Sequence, residues 1–115
     1  MEKKNKTKRE PRRKGGIQPD GHSLEHLKFL RYLHSKSVEK DYPTREFLRL
    51  VKRYGLNISQ YTLDAITKDV KNERLYKVDT LVMLSNFYFD FTDQNPETYK
   101  EYEAESKPNQ SEPNP

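Results

Sequence analysis

The chain has 115 residues, 31% of them hydrophobic and 35% charged, with a formal net charge of +4. The apolar share lies below the roughly 45–50% of ordinary globular domains, so the chain supports one small core. Cysteine is absent, which excludes a disulfide scaffold, a thiolate zinc site and a cysteine nucleophile.

Charge divides the sequence into three parts. Residues 1–16 carry eight Lys or Arg against two Glu, a net of +6. This segment has no hydrophobic residue after Met1 and cannot offset its ordering entropy, so it reads as a basic disordered arm. Residues 17–92 hold most of the large apolar side chains, with twelve basic and ten acidic residues. They read as the folded domain. Residues 93–115 are acidic, with a net of −4, and contain Pro96, Pro108, Pro113 and Pro115. They read as a disordered tail from about Asn95 onward, with 97–104 able to extend a helix briefly. No apolar run approaches the roughly 20 residues that cross a membrane. No apolar segment follows the first basic residues, so a secretory signal is not expected. The expected setting is the cytoplasm.

Four helical patterns follow in order. Ser23 is a plausible N-cap for Leu24, Leu27, Phe29, Leu30 and Leu33, with the helix ending near Lys36. After Pro43, Thr44 caps a second helix bearing Phe47, Leu48, Val51 and Tyr54, which Gly55 stops. Asn57 is a candidate cap for the third helix, with Gln60 three residues on as in a capping box. Leu63, Ile66 and Val70 give that helix an inward face. Residues 71–77 are polar and read as a loop. A fourth helix carries Leu81, Val82, Leu84, Phe87 and Tyr88. Phe87, Phe89 and Phe91 also alternate as a strand would, and 74–84 can form a small hairpin. The fold class is therefore all-α, a four-helix helix-turn-helix domain, with a winged helix as the alternative.

The most informative unit is 44–69, two amphipathic helices joined at a Gly-Leu-Asn turn. A DNA-reading pair needs apolar packing between its helices and an exposed, polar first turn on the second. Leu48 and Val51 can pack on Leu63 and Ile66, leaving Ser59, Gln60, Tyr61, Asp64 and Lys68 on or near the outer face. Gln bonds adenine in a bidentate manner and Ser bonds several bases. Ser59, Gln60 and Tyr61 are thus the expected base contacts. Thr44, Arg45, Arg49, Lys52, Arg53, Lys68 and Lys71 are the expected phosphate contacts. An ordinary helical pair with a solvated face has the same pattern.

Ser59, Gln60, Thr62 and Leu63, followed by Asp79, Thr80, Leu81, Leu84 and Ser85, resemble small bacterial regulators of the lambda-repressor/Cro helix-turn-helix type. The resemblance covers about half the chain. It implies a Gly turn before a polar recognition helix, and a function in transcription regulation or as an accessory factor of a mobile element. The spacing from Gly55 to Thr62-Leu63 is longer than usual in that family. The Leu-Ala pair usual in its second helix is replaced by Arg49-Leu50.

The basic arm is a second signal. Arg9, Arg12, Arg13 and Lys14 can lie along phosphates or enter a minor groove, adding salt-sensitive affinity. A solubilising tail has the same composition. The acidic tail can fold back on the arm or simply be solvated. His22, His26 and His34 share helical spacing, but only Glu25 is near, so no metal or cofactor is expected. No phosphate loop, Ser-His-Asp set or paired carboxylates point to an enzyme, and so small a core leaves little room for a cleft. The many Tyr and Phe suit a small core or dimer surface better than stacking on single strands. The expected partners are double-stranded DNA and a second copy joined through Phe87, Tyr88 and Phe89. A protein-interaction module, an adaptor or anti-regulator that grips a partner with the same rings, is the alternative.

Overall fold

A computed structural model describes residues 16–106. The arm residues Arg9, Arg12, Arg13 and Lys14, and the last nine residues of the tail, lie outside the described residues.

Helix α1 spans Gly21–Glu39 and buries His26, Leu27, Phe29, Leu30 and Leu33 along one face. Its N-cap is Asp20, not Ser23: the Asp20 carboxylate accepts the Ser23 N–H at 2.9 Å. The carboxylate suits the positive end of the helix better than a hydroxyl does, and this bond holds the Asp20 pKa below its ordinary value. The helix also runs past Lys36. It ends where Asp41 takes a positive φ of 57° and the Tyr42 N–H bonds back to the Ser37 carbonyl.

Helix α2 spans Thr44–Arg53 and buries Phe47 and Val51. Pro43 occupies its N-cap, so Thr44 is the first helical residue and makes no side-chain cap bond. Helix α3 spans Gln60–Lys68 and buries Leu63 and Ile66. Its cap is Ser59 rather than Asn57. Val70 is 73% exposed, because the helix ends before it and the chain turns away.

Helix α4 spans Val78–Gln94 and settles the ambiguity of its aromatic run in favour of a helix. Leu84, Phe87, Tyr88 and Phe91 fall on one helical face and are buried, while Phe89 points out. Among the described residues there is no strand, only one isolated bridge between Ile17 and Tyr76, so no wing forms. Helix α5 spans Pro96–Ser106, within the expected disordered tail; it contains the brief 97–104 helical extension and runs beyond it at both ends. Pro96 starts it at the position where a missing N–H costs nothing. Tyr102 is 1% exposed, and its hydroxyl donates to Glu25 at 2.7 Å.

The core gathers around α1. The Phe29 ring lies 5.0 Å from Tyr102 and 5.5 Å from Tyr88, both edge-on, with Phe91 at 5.8 Å. Edge-to-face packing of this kind adds to the area that the rings bury. Burial pushes the Tyr88 and Tyr102 pKa values up, so both stay neutral donors. With Phe87 and Tyr88 in this core, the expected dimer surface keeps only Phe89 of its three rings.

His26 is buried against Tyr88, with ring centroids 4.3 Å apart. Desolvation, helped by His22, lowers its pKa from 6.5, against the weaker pull of Glu25 and Asp20. The unfolded chain therefore takes up the proton first. Stability should be full above pH 6.5 and decline as pH falls through that value. Urea midpoints at about pH 7.5 and 5.5 check this. His26→Gln should flatten the difference, and an unchanged pH profile would assign it elsewhere.

Candidate nucleic-acid interface

The α2–α3 connection is held by backbone geometry. Gly55 has φ +103°, its N–H bonds to the Lys52 carbonyl, and the Leu56 N–H bonds to the Val51 carbonyl, each at 3.0 Å. This is a Schellman ending, and its usual apolar contact is supplied by Val51 and Leu56, both fully buried. The turn is six residues, 54–59, longer than the three or four common in such motifs. It is not loose, since Leu56 is buried and Ile58 packs on the core. Gly55→Ala should cost about 1–2 kcal/mol through the backbone alone. The added Cβ would meet Asn86 at an ordinary 3.5 Å. Thermal melts should show Gly55→Asn losing less; equal losses would place the cost in packing.

Ser59, Gln60 and Tyr61 come together at the exposed start of α3, with Tyr61 77% exposed. The Ser59 hydroxyl is committed to the cap: it accepts the Thr62 N–H at 3.1 Å and donates to the Thr62 hydroxyl at 3.2 Å. Gln60 and Tyr61 carry no such commitment in their exposed positions. Gln60, Asp64 and Lys68 form an i, i+4, i+8 row along one side of the helix. Asp64 adds an acceptor that suits the cytosine amino group and opposes phosphate.

On α2, Arg45, Arg49 and Lys52 form a row opposite Phe47 and Val51, with Arg53 beside it; all four are exposed. Thr44 is half-buried at the helix start. Arg49 pairs with Glu46 at 2.7 Å, an exposed pair that a phosphate can replace at little cost. Lys68 and Lys71 are exposed near the other end of α3. Charge is unevenly placed: α2 has four cations and one acid, whereas α4 and α5 together have seven acids and one Lys.

Arg31 carries no signal in sequence, because its partners lie 35 and 41 residues away. Its Nε donates to the Ile66 carbonyl at 2.9 Å and its Nη1 to Asn72 Oδ1 at 2.8 Å. Its Nη2 lies 3.9 Å from Asp69. A cation thus sits at the negative end of α3 and ties it to α1. The Asp69 carboxylate accepts the Glu73 and Arg74 N–H groups at 2.9 and 3.1 Å, which folds the following loop against the helix end.

A groove of about 520 Å³ lies between α1, α2 and α5, so the domain has more room for a cleft than its core size implies. Tyr32, Phe47, Leu50 and Phe91 line it, and the Lys36–Glu105 ion pair at 3.0 Å closes one side. Among the described residues, no helix is long and apolar enough to cross a membrane. No protein-family model matches the chain, and no curated protein or solved structure shows significant similarity to it.

Proposed function

We propose that this chain binds double-stranded DNA at preferred sequences, as a transcription regulator or mobile-element accessory factor in the bacterial cytoplasm. Helix α3 enters the major groove and its first turn reads bases through Gln60 and Tyr61. Ser59 caps the helix and brings the N-terminal end of its dipole toward the backbone. Arg45, Arg49, Lys52 and Arg53 hold phosphates on one flank, and Lys68 and Lys71 on the other. The arm adds charge.

One observation carries this reading. An exposed Gln-Tyr pair stands on a helix that is fixed at both ends, by the Gly55 turn and by Arg31, and buried along Leu63 and Ile66. Rigid presentation keeps side-chain ordering costs low on binding, which a merely solvated face does not require.

A salt titration tests it. For the full chain on a duplex, log affinity should fall steeply and linearly with log salt. Arg45→Ala with Arg49→Ala should make the slope shallower by roughly 0.9 for each phosphate left unneutralised, equally on every sequence. A flat titration, or no binding, would favour the second reading. That reading is a protein-interaction module, and the exposed row of Val78, Val82 and Phe89 on α4 supports it. The same row is the surface through which a dimer would form.

A further inference from the structure

The groove of about 520 Å³ between α1, α2 and α5 takes no part in the DNA reading. Its volume falls within the roughly 300–1,000 Å³ of small-molecule sites. Phe47, Leu50 and Phe91 give it an apolar lining. Both rings belong to the buried core, so this surface is fixed rather than adaptable.

One wall is acidic. Thr98, Glu101 and Glu105 stand at i, i+3 and i+7 on α5 and line the groove together. The only cation of α5, Lys100, pairs with Glu97 and does not line the groove. The end of α1 contributes Lys36, Glu39 and Lys40. Lys36 shows what these surroundings hold. Its Nζ lies 3.0 Å from Glu105, 3.8 Å from Glu39 and 5.6 Å from the centre of the Tyr32 ring. Two carboxylates and an aromatic face thus already share one ammonium. Burial first, then the nearby Glu105 and more weakly Glu101, raise the Tyr32 pKa, so that ring stays a neutral face.

The charge left over is negative. Glu101 makes no ion pair with any described residue. Lys40 is exposed, where solvent screens it. An anion would have to displace Glu105 from Lys36, whereas a cation meets Glu101 directly. A bare metal ion does not fit, because no group of three or more His, Asp or Glu among the described residues can hold one. Such an ion would also leave the apolar lining uncovered.

We propose that this groove binds a small organic cation, an amine or quaternary ammonium group on an apolar body about the size of one ring. The head lies by Glu101 and the Tyr32 ring, and the body covers Phe47, Leu50 and Phe91. The site is separate from α3 and stands whether or not the chain reads DNA.

An NMR titration of the full chain at fixed salt tests this with three probes that share a phenylbutyl body: phenylbutyltrimethylammonium, phenylbutanol and phenylbutyrate. The cation should bind about tenfold tighter than the alcohol, and the carboxylate more weakly than either. Glu101→Gln should remove most of the cation's advantage and leave the alcohol unchanged. Glu101 is exposed, so this variant should melt like the parent. Tyr32→Leu should weaken the cation about two- to fivefold, while Tyr32→Phe, which keeps the ring, should not. Leu50→Trp should weaken all three probes by filling the groove. Equal binding of the three heads, or tighter binding of the carboxylate, would overturn the proposal. So would a full cation preference in Glu101→Gln, or binding that Leu50→Trp leaves unchanged. If no probe binds and Leu50→Trp instead alters the oligomeric state, a second copy covers the groove and the proposal fails.

Discussion

Phe29→Ala is expected to remove about 3–5 kcal/mol of stability, the largest loss from any single truncation in this domain. Its side chain is fully buried, with the rings of six neighbours within 6.5 Å, from α1, α4 and α5. Three helices therefore share one side chain, and a cavity there cannot close without moving all of them. A domain of this size has about 5–15 kcal/mol in total, so the variant should be substantially unfolded at about 37 °C. Phe89→Ala is the control, because Phe89 is 60% exposed and should change stability by only about 0.5 kcal/mol. Urea midpoints measure both, and similar losses would mean that the aromatic core is not centred on Phe29.

The same ring cluster explains what was legible in the sequence. The apolar spacing of Leu27, Leu30 and Leu33 and of Leu63 and Ile66 is visible within a short window, and those faces are buried. Helix α5 is not visible that way. It offers one fully buried side chain, Tyr102, among acids, and its hydroxyl partner Glu25 lies 77 residues away. A window of sequence sees Pro, Asn and Glu there and reads a tail with only a brief helical extension over 97–104. Caps failed for a related reason. Ser23, Thr44 and Asn57 are sound local caps, but Asp20, Pro43 and Ser59 occupy the positions. Packing of Leu56 and Ile58 sets where α3 begins, and local cap chemistry adapts to it. Val70 continues the 0, 3, 7 pattern of Leu63, yet the Arg31–Asp69–Asn72 bonds end the helix first.

At the candidate site, the exposed placement of Gln60 and Tyr61 was legible from the polar first turn. The tethering of α3 by Arg31 was not, since an Arg flanked by Leu30 and Tyr32 looks like a solvated charge. The burial of Phe87 and Tyr88, which leaves Phe89 as the exposed ring of the three, was hidden as well. Alternating aromatics do not reveal which ring faces in until the helical period is fixed.

The second large effect concerns α3. Gln60→Ala and Tyr61→Ala should each lower affinity for the preferred site about tenfold to a hundredfold, the usual range for a base pair that is no longer read. Affinity for unrelated duplexes should hardly change, because neither side chain carries a charge that displaces counterions. Stability should also stay within about 0.5 kcal/mol of the parent, since both side chains are exposed and outside the core. Stability and binding are thereby separated, which the Arg31 and Phe29 positions do not allow. Equal losses on every sequence would mean that α3 holds backbone and reads nothing. Unchanged affinity would place the interface elsewhere.

The most direct measurement is selection of bound duplexes from a random pool by the full chain, repeated with Gln60→Ala and Tyr61→Ala combined. The expected result is enrichment of a short motif containing adenine at the position facing Gln60, lost in the double variant. A two-fold symmetric motif would further indicate two copies on the site. No enrichment over the input pool, or the same motif from both proteins, would contradict base reading by α3.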